Sequence, residues 1–353
     1  MHSIAKFYKK KRVLITGATG FKGAWLCAWL LNLGSEIKGV GYIPNSNQRL
    51  FNSLGLAKKV RLSLFDIRNK NKLESTIKKF KPSILFHLAA QPLVSESYKK
   101  PYDTFDINFR GTLNLIDISM KYRFIKSIIS VTSDKCYENL NKIKKYNETD
   151  RLGGIDPYSA SKASAELLIR SYRKSFYNKV GISSVRAGNV IGGGDWSENR
   201  LIPDSVRYIQ KNLKIRLRNP NYNRPWQFVL EPLKGYLVLA KKQYEQPKRF
   251  SSSWNFGPKT HNFKSVKNVV ELIIKFWGKG SVTKANNKFH EHHHLQLNCD
   301  KAKKKLKWKP VYNVNESIKK TIEWYYKVLN KKKDPKTITN EQIHQYMKDS
   351  NWL

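Results

Sequence analysis

Cysteine is scarce in this chain. The three present among 353 residues, Cys27, Cys136 and Cys299, are odd in number and lack metal-ligand spacing, which excludes a disulfide framework and a cysteine zinc site. Unpaired thiols fit a reducing compartment. Long apolar runs are missing too: no uninterrupted stretch reaches the roughly 20 residues that span a bilayer. The basic first eleven residues are not followed by the apolar run and small-residue cleavage site of a signal peptide. A cytoplasmic location without membrane contact is therefore expected. Acidic residues are the third shortage, 26 Asp and Glu against 67 Lys and Arg, leaving a formal net charge of +41. That imbalance raises nucleic acid or another polyanion as a partner. The lysines, however, are scattered, as in Lys9-Lys10-Lys11, Lys58-Lys59, Lys144-Lys145 and Lys303-Lys304-Lys305, without the interleaved aromatics of a stacking platform. They read as solvated faces, and nucleic acid is not expected as a partner.

Against these shortages, 40% of the residues are hydrophobic, enough to fill a sizeable core in one large domain or two lobes sharing a sheet. Arg12–Thr16 is a short apolar run followed by glycines and then by an amphipathic stretch, Phe21–Leu33, that stops at Gly34. Its Phe21, Ala24, Trp25, Ala28 and Leu31 recur at helical spacing, so one face is expected to lie on a sheet. Further strands are expected at 37–42, 60–65, 83–88, 127–132 and 181–185, alternating with helices at 70–80, 104–122 and 158–176. This alternation predicts an α/β fold, a Rossmann-type doubly wound parallel sheet, over residues 1–185. Beyond Arg186, glycines and prolines (Gly192-Gly193-Gly194, Pro203, Pro220, Pro225, Pro232) break the pattern. Residues 186–353 are expected to form a smaller, mixed lobe, with a stretch near 225–260 returning to the first domain. Helices are expected at 233–245, 266–277 and 314–329; the tail beyond Lys331 is too polar and lysine-rich to assign.

Gly17-Ala18-Thr19-Gly20-Phe21-Lys22-Gly23 joins the first strand to the first helix, the place where glycines let backbone approach a pyrophosphate and a helix N-terminus offers N–H groups. A dinucleotide is expected there. The second strand ends Val40-Gly41-Tyr42 without the acid that would bind an adenosine ribose, and no arginine follows until Arg49, so this point does not separate NAD from NADP. Asp66-Ile67, ending the third strand, is a candidate for the adenine edge. Tyr158 and Lys162 lie four residues apart on one face of a helix starting near Pro157, where an ammonium favours a phenolate that can take a proton from an alcohol as hydride leaves.

Together these residues resemble the extended short-chain dehydrogenase/reductase family, which joins this glycine pattern, a strand ending like Leu88-Ala89-Ala90, a Ser or Thr on the fifth strand and Tyr-x-x-x-Lys. The resemblance covers nearly the whole chain. It implies that Gly17, Thr19, Gly20, Phe21 and Gly23 hold NAD together with Asp66, Ile67, Leu88, Ala89, Ala90, Tyr158 and Lys162. It further implies that Ser133 binds the substrate alcohol beside Tyr158, and that Asn108 supports the active site on the substrate side. Thr132-Ser133-Asp134-Lys135 looks like the nucleotide-sugar 4,6-dehydratases, in which an acid and a second proton-transfer residue follow the Ser or Thr. Eliminating water across C5 and C6 of a 4-ketosugar needs a base at C5 and an acid at the C6 hydroxyl. A lysine in place of the usual second carboxylate resembles the branch acting on CDP-D-glucose, which leads to deoxy and dideoxy sugars of cell-surface polysaccharides. A lysine base must be neutral, so Lys135 would need a lowered pKa.

The same branch is suggested by Arg186–Trp196 and by Arg218-Asn219-Pro220 followed by Arg224-Pro225-Trp226-Gln227. By resemblance Asn189, Arg200, Leu201, Arg218 and Arg224 line the nucleotide-sugar site, where arginine's paired donors suit phosphate oxygens. Two positions depart from the pattern: Phe228 stands where histidine is expected, and Asn298 where aspartate is, the latter a matter of a helix cap. His290, His292, His293 and His294 do not suggest a metal, because consecutive histidines cannot all face one ion. A homodimer pairing through 104–122 and 158–176 is the family's habit. Two rival readings stand beside this one: an epimerase or a dehydratase for another nucleotide, and a non-catalytic Rossmann shell that binds polyanions.

Overall fold

The computed structural model describes residues 4–42, 50–139, 144–176, 180–258, 264–284 and 295–352. Seven strands form one parallel sheet: β1 (Arg12–Thr16), β2 (Glu36–Gly41), β3 (Arg61–Leu64), β4 (Ile84–His87), β5 (Ser127–Val131), β6 (Gly181–Ala187) and β7 (Ser253–Phe256). Their spatial order is β7-β6-β5-β4-β1-β2-β3. The winding reverses at β1, so the crevice beyond the ends of β1 and β4 is the switch point at which doubly wound sheets bind ligands. The connecting helices are α1 (Phe21–Asn32), α2 (Lys70–Phe80), α3 (Gly111–Met120) and α4 (Pro157–Ser175).

Side chains alternate across a strand, and here the alternation divides two apolar layers. Val13, Ile15, Ile84, Phe86, Ile129 and Val185 belong to one; Leu14, Leu85, Ile128 and Ile182 belong to the other. The first layer continues into α5 (Leu201–Gln210), α6 (Leu230–Glu245), α7 (Val266–Trp277), α8 (Val314–Leu329) and α9 (Pro335–Asp349).

Three expectations are revised. α1 does not bury a single face: every residue from Gly23 to Leu30 is buried. The reason is α9, in the tail left unassigned, whose Ile338, Ile343, Tyr346 and Met347 are buried although widely spaced among polar residues. Tyr346 meets Trp29 edge-on at 5.7 Å and donates to Glu231 Oε2 at 2.6 Å. The helix expected over 104–122 is interrupted by a widened π turn at Asp106–Arg110 between Pro101–Phe105 and α3. Such turns recur at functional sites, and this one carries Asn108. The helix expected from 233 starts at Leu230, since Pro232 is tolerated in a first turn.

Candidate active site

The glycine turn is built by backbone contact. Gly17 adopts φ +72°, and a Cβ there would lie 2.6 Å from the Ala89 nitrogen and 2.7 Å from the Leu88 carbonyl carbon. The turn after β1 and the segment Leu88-Ala89-Ala90 after β4 thus touch at the switch point. Gly23 packs as closely, its missing Cβ 2.1 Å from Gly17 O. Gly20 differs: it is exposed, only Gly17 O at 3.3 Å lies near its missing Cβ, and no side chain caps the α1 N-terminus. An open glycine before an uncapped helix N-terminus fits a dinucleotide diphosphate. Thr19 reaches across to Tyr42 O at 3.3 Å, and Phe21 packs toward Gly192.

The adenine-edge candidates are held in place by neighbours within the protein. Both oxygens of Asp66 accept from the Arg68 guanidinium, at 2.7 and 3.0 Å, which holds its carboxyl below the usual range. Arg68 in turn binds Asp106 at 2.9 Å, tying the end of β3 to the π turn. The Ile67 side chain is buried in the second apolar layer against Gly111.

Asp156 caps α4, accepting from Ser159 N at 2.9 Å, and Pro157 follows at the first helical position. The helix presents Tyr158 and Lys162 to the end of β5, and both are buried. Burial raises the Tyr158 phenol to about 12; the Ser133 hydrogen bond and the Arg200 charge oppose it, while Asp134 adds to it. Burial lowers Lys162 to about 7, with the nearby Lys22 charge adding to the fall. Arg200, from the second half of the chain, also acts on Tyr158, a neighbour the Tyr-Lys spacing did not reveal.

Ser133 caps the turn Asp134–Cys136: its Oγ accepts from Lys135 N at 3.2 Å and donates to Asp134 Oδ1 at 3.1 Å. Asp134 is buried and its carboxyl is raised by desolvation, against the charges of Lys135 and Arg224 and the Ser133 bond. Lys135 is half-buried beside it. Behind them Thr132 donates to Glu166 Oε1 at 2.5 Å, and Glu166 pairs with Arg186.

The second half converges on Asp134. Gln227–Phe228 pairs in parallel with Val190–Ile191, and Gln227 N donates to Asn189 O at 3.0 Å. A Cβ on Gly188 would lie 2.9 Å from Pro225 and 3.0 Å from Asp134 Oδ2. Arg224, stacked over Tyr222 at 5.2 Å, thereby comes within electrostatic reach of Asp134. Arg200 precedes Leu201 at the start of α5 and donates to Asp195 at 2.8 Å.

Ser133, Asp134, Lys135, Tyr158, Lys162, Arg200 and Arg224 thus share one region, with the glycine turn beside it. Arg218 does not join them: it is exposed, bonded to Asn199 at 2.9 Å, and its charge acts on Asp204. Asn108 spends its amide within the protein, accepting from Gln91 N at 2.9 Å and donating to Ser161 at 2.9 Å. It braces α4 one residue before Lys162. Phe228 is fully buried, with Trp25 at 6.0 Å and Tyr312 at 5.8 Å, so an aromatic contact fills the place of the expected histidine. Asn298 accepts from Asp300 N at 2.8 Å, a local turn, while no side chain caps the segment Ala302–Leu306. The histidines at 290–294 lie outside the described residues. Two neighbours were missed by sequence reasoning, Lys22 and Asp195; the only signal for the first was a lysine inside an otherwise uncharged turn.

The sequence model of the GDP-mannose 4,6 dehydratase family matches residues 14–321. The CDP-glucose 4,6-dehydratase of Salmonella typhimurium is 41% identical over 350 residues, covering 97% of each chain. Among solved structures, the dTDP-glucose 4,6-dehydratase of Bacillus anthracis in complex with NAD superposes with TM-score 0.78 at 25% identity, covering 91% of this chain and 98% of that one. The dTDP-glucose 4,6-dehydratase of Streptomyces venezuelae shares the fold at TM-score 0.80, with 18% identity and coverage of 92% and 99%. With most of its length matched in sequence and in fold, this chain belongs to the GDP-mannose 4,6 dehydratase family.

Proposed function

We propose that this chain is a NAD-dependent hydro-lyase that converts CDP-D-glucose to CDP-4-dehydro-6-deoxy-D-glucose and water. The observation that carries the reading is the buried Asp134, its carboxyl raised, placed beside Ser133 and Tyr158 and within the field of Arg224. A redox pair alone suits any dehydrogenase; an acid able to hold its proton next to that pair suits elimination. The Salmonella relative, alike over nearly its full length, carries that activity in its name.

Gly17, Thr19, Gly20, Phe21, Gly23, Leu88, Ala89 and Ala90 hold the cofactor, with Tyr158 and Lys162 at its reacting end. Bound NAD supplies a hydride acceptor at C4 and the same hydride for return to C6. Tyr158 takes the C4 hydroxyl proton, with Ser133 hydrogen-bonded to both partners. A cofactor hydroxyl that accepts a hydrogen bond from Lys162 favours its charged form, which in turn favours the phenolate. Asp134 protonates the departing C6 hydroxyl, Lys135 receives the C5 proton and returns it to C5 as hydride reaches C6, and the proton held by Tyr158 restores Asp134 through Ser133. Arg200 and Arg224 hold the nucleotide-sugar diphosphate, with Asn189 and Leu201 beside it. In this reading residues 1–185 and the returning stretch 225–260 carry the dinucleotide, and the rest of 186–353 carries the nucleotide sugar.

The unit is a homodimer in the cytoplasm. Tyr98, Tyr102, Phe105, Phe109 and Leu167 are exposed along the helices 94–110 and α4, an apolar face suited to a second copy. Its product feeds deoxysugar synthesis for cell-surface polysaccharide. Incubation with a panel of nucleotide-glucoses, followed by product mass and ultraviolet absorbance in alkali, tests the reading. Loss of water from CDP-glucose alone is the expected result; a product of unchanged mass indicates epimerisation and overturns it.

A further inference from the structure

Ser133, Asp134 and Lys135 all stand on or beside one short turn, Asp134–Cys136, that holds itself loosely. Cys136 N donates to Ser133 O at 3.3 Å and Tyr137 N to Asp134 O at 3.4 Å. A turn this tight and short has few good internal bonds with which to aim its side chains. What fixes it lies outside it, at both ends.

At its entry, Thr132 donates to Glu166 Oε1 at 2.5 Å. At its exit, the Tyr137 hydroxyl accepts from Arg186 Nη1 at 2.7 Å and donates to Asn255 Oδ1 at 2.8 Å. Those roles are forced, because a guanidinium only donates and the Asn255 amide nitrogen is committed to the carbonyls of Tyr146 and Asn298. Glu166 and Arg186 meet through two parallel bonds, Nε to Oε1 at 2.9 Å and Nη2 to Oε2 at 2.7 Å. The Arg186 guanidinium also lies over the Tyr137 ring, 4.7 Å from its centre. Glu166, Arg186, Tyr137 and Asn255 are all buried. One ion pair thus grips the chain just before and just after the turn. Apolar residues of equal volume often stabilise a core as well as a buried ion pair does; what a bidentate pair adds is direction.

We propose that Glu166 and Arg186 are positioning residues for the elimination step: Glu166 holds the entry of the turn through Thr132, and Arg186 holds its exit through Tyr137. Lys135 lies toward the exit, whereas Ser133 adjoins Thr132 at the entry. Loosening the exit therefore disturbs proton transfer at C5 more than hydride transfer from C4. The inference rests on the reading that Asp134 and Lys135 carry the elimination.

Tyr137→Phe removes the hydroxyl and keeps the ring, and NADH absorbance in a single turnover of CDP-glucose separates the steps. NADH should rise at the wild-type rate. Its decay, which waits for elimination, should slow roughly tenfold to hundredfold, the cost of misplacing a reacting group by about 1 Å. The KM for CDP-glucose and the affinity for NAD stay unchanged. Tyr8→Phe is the control, since it removes another buried tyrosine hydroxyl, bonded to Leu237 O at 2.8 Å. It should lower the thermal midpoint and leave NADH decay alone. Thr132→Val serves where Tyr137→Phe folds poorly, and should lower kcat at unchanged NAD affinity. Folded variants with wild-type kcat and NADH decay overturn the inference, as does equal slowing in Tyr8→Phe or a weakened NAD affinity that accounts for the loss. Wild-type protein that removes no water from CDP-glucose overturns the proposed function itself, a result seen before any variant is made.

Discussion

Glu166 and Arg186 form a buried ion pair, Oε2 to Nη2 at 2.7 Å, with side chains 1% and 2% exposed. Glu166 lies one turn beyond Lys162 on α4 and accepts from Thr132 and Ser184; Arg186 also donates to Tyr137. The pair therefore ties α4, β6 and the segment after β5 into one unit. Stripping one partner leaves a buried charge uncompensated, which costs about 3–5 kcal/mol. Glu166→Ala should lower the midpoint of denaturant unfolding by a corresponding amount. An unchanged midpoint would show that the network does not carry stability.

Tyr158→Phe keeps the ring in its buried site and removes the hydroxyl that Ser133 contacts. Turnover of CDP-glucose should fall roughly a hundredfold to ten-thousandfold, the range for a lost general base. NAD affinity should stay near that of the wild type. Turnover that survives the substitution would falsify the assigned role.

Asp134→Asn separates oxidation from elimination. Ser133, Tyr158 and Lys162 remain, so NADH absorbance should still rise in a single turnover, while formation of the 6-deoxy product drops by roughly a hundredfold or more. Product forming at the wild-type rate would move the acid to another residue.

Cofactor affinity should depend on pH through Lys162. Without ligand, burial lowers Lys162 to about 7, so it loses its proton as pH rises through that value. A cofactor hydroxyl that accepts a hydrogen bond from the ammonium favours the charged form, so binding takes up protons and NAD affinity falls as pH rises through about 7. Calorimetry in buffers of different ionisation enthalpy should detect the uptake. Folding has the opposite slope from Lys162: the unfolded chain holds that proton up to about 10.5, so this group's contribution makes the ligand-free protein more stable as pH rises from 7. A flat NAD affinity across this range would remove Lys162 from the cofactor site.

Much of this was legible beforehand. The strands were visible because parallel strands covered on both faces read as short apolar runs, and Gly17 and Gly23 because their backbones leave no room for a Cβ. α7 and α8 start and stop where their periodicity does, since Ser265 and Asn313 cap them. Tyr158 and Lys162 were legible because four-residue spacing on a helix is a local fact.

What local pattern does not contain is which distant segments meet. α9 escaped notice because Tyr346 and Ile343 are buried by Glu231 and α1, not by their own spacing. That Arg68 ties Asp66 to Asp106 of the π turn could not be read from spacing either. Sequence by itself determined the sheet, the glycine turn and the placing of Tyr158 and Lys162 on one helix face, because each is written in residues a few positions apart. Only the tertiary structure decided that Arg200 comes within electrostatic reach of Tyr158 and Arg224 of Asp134, because electrostatics acts through space and takes no account of separation along the chain.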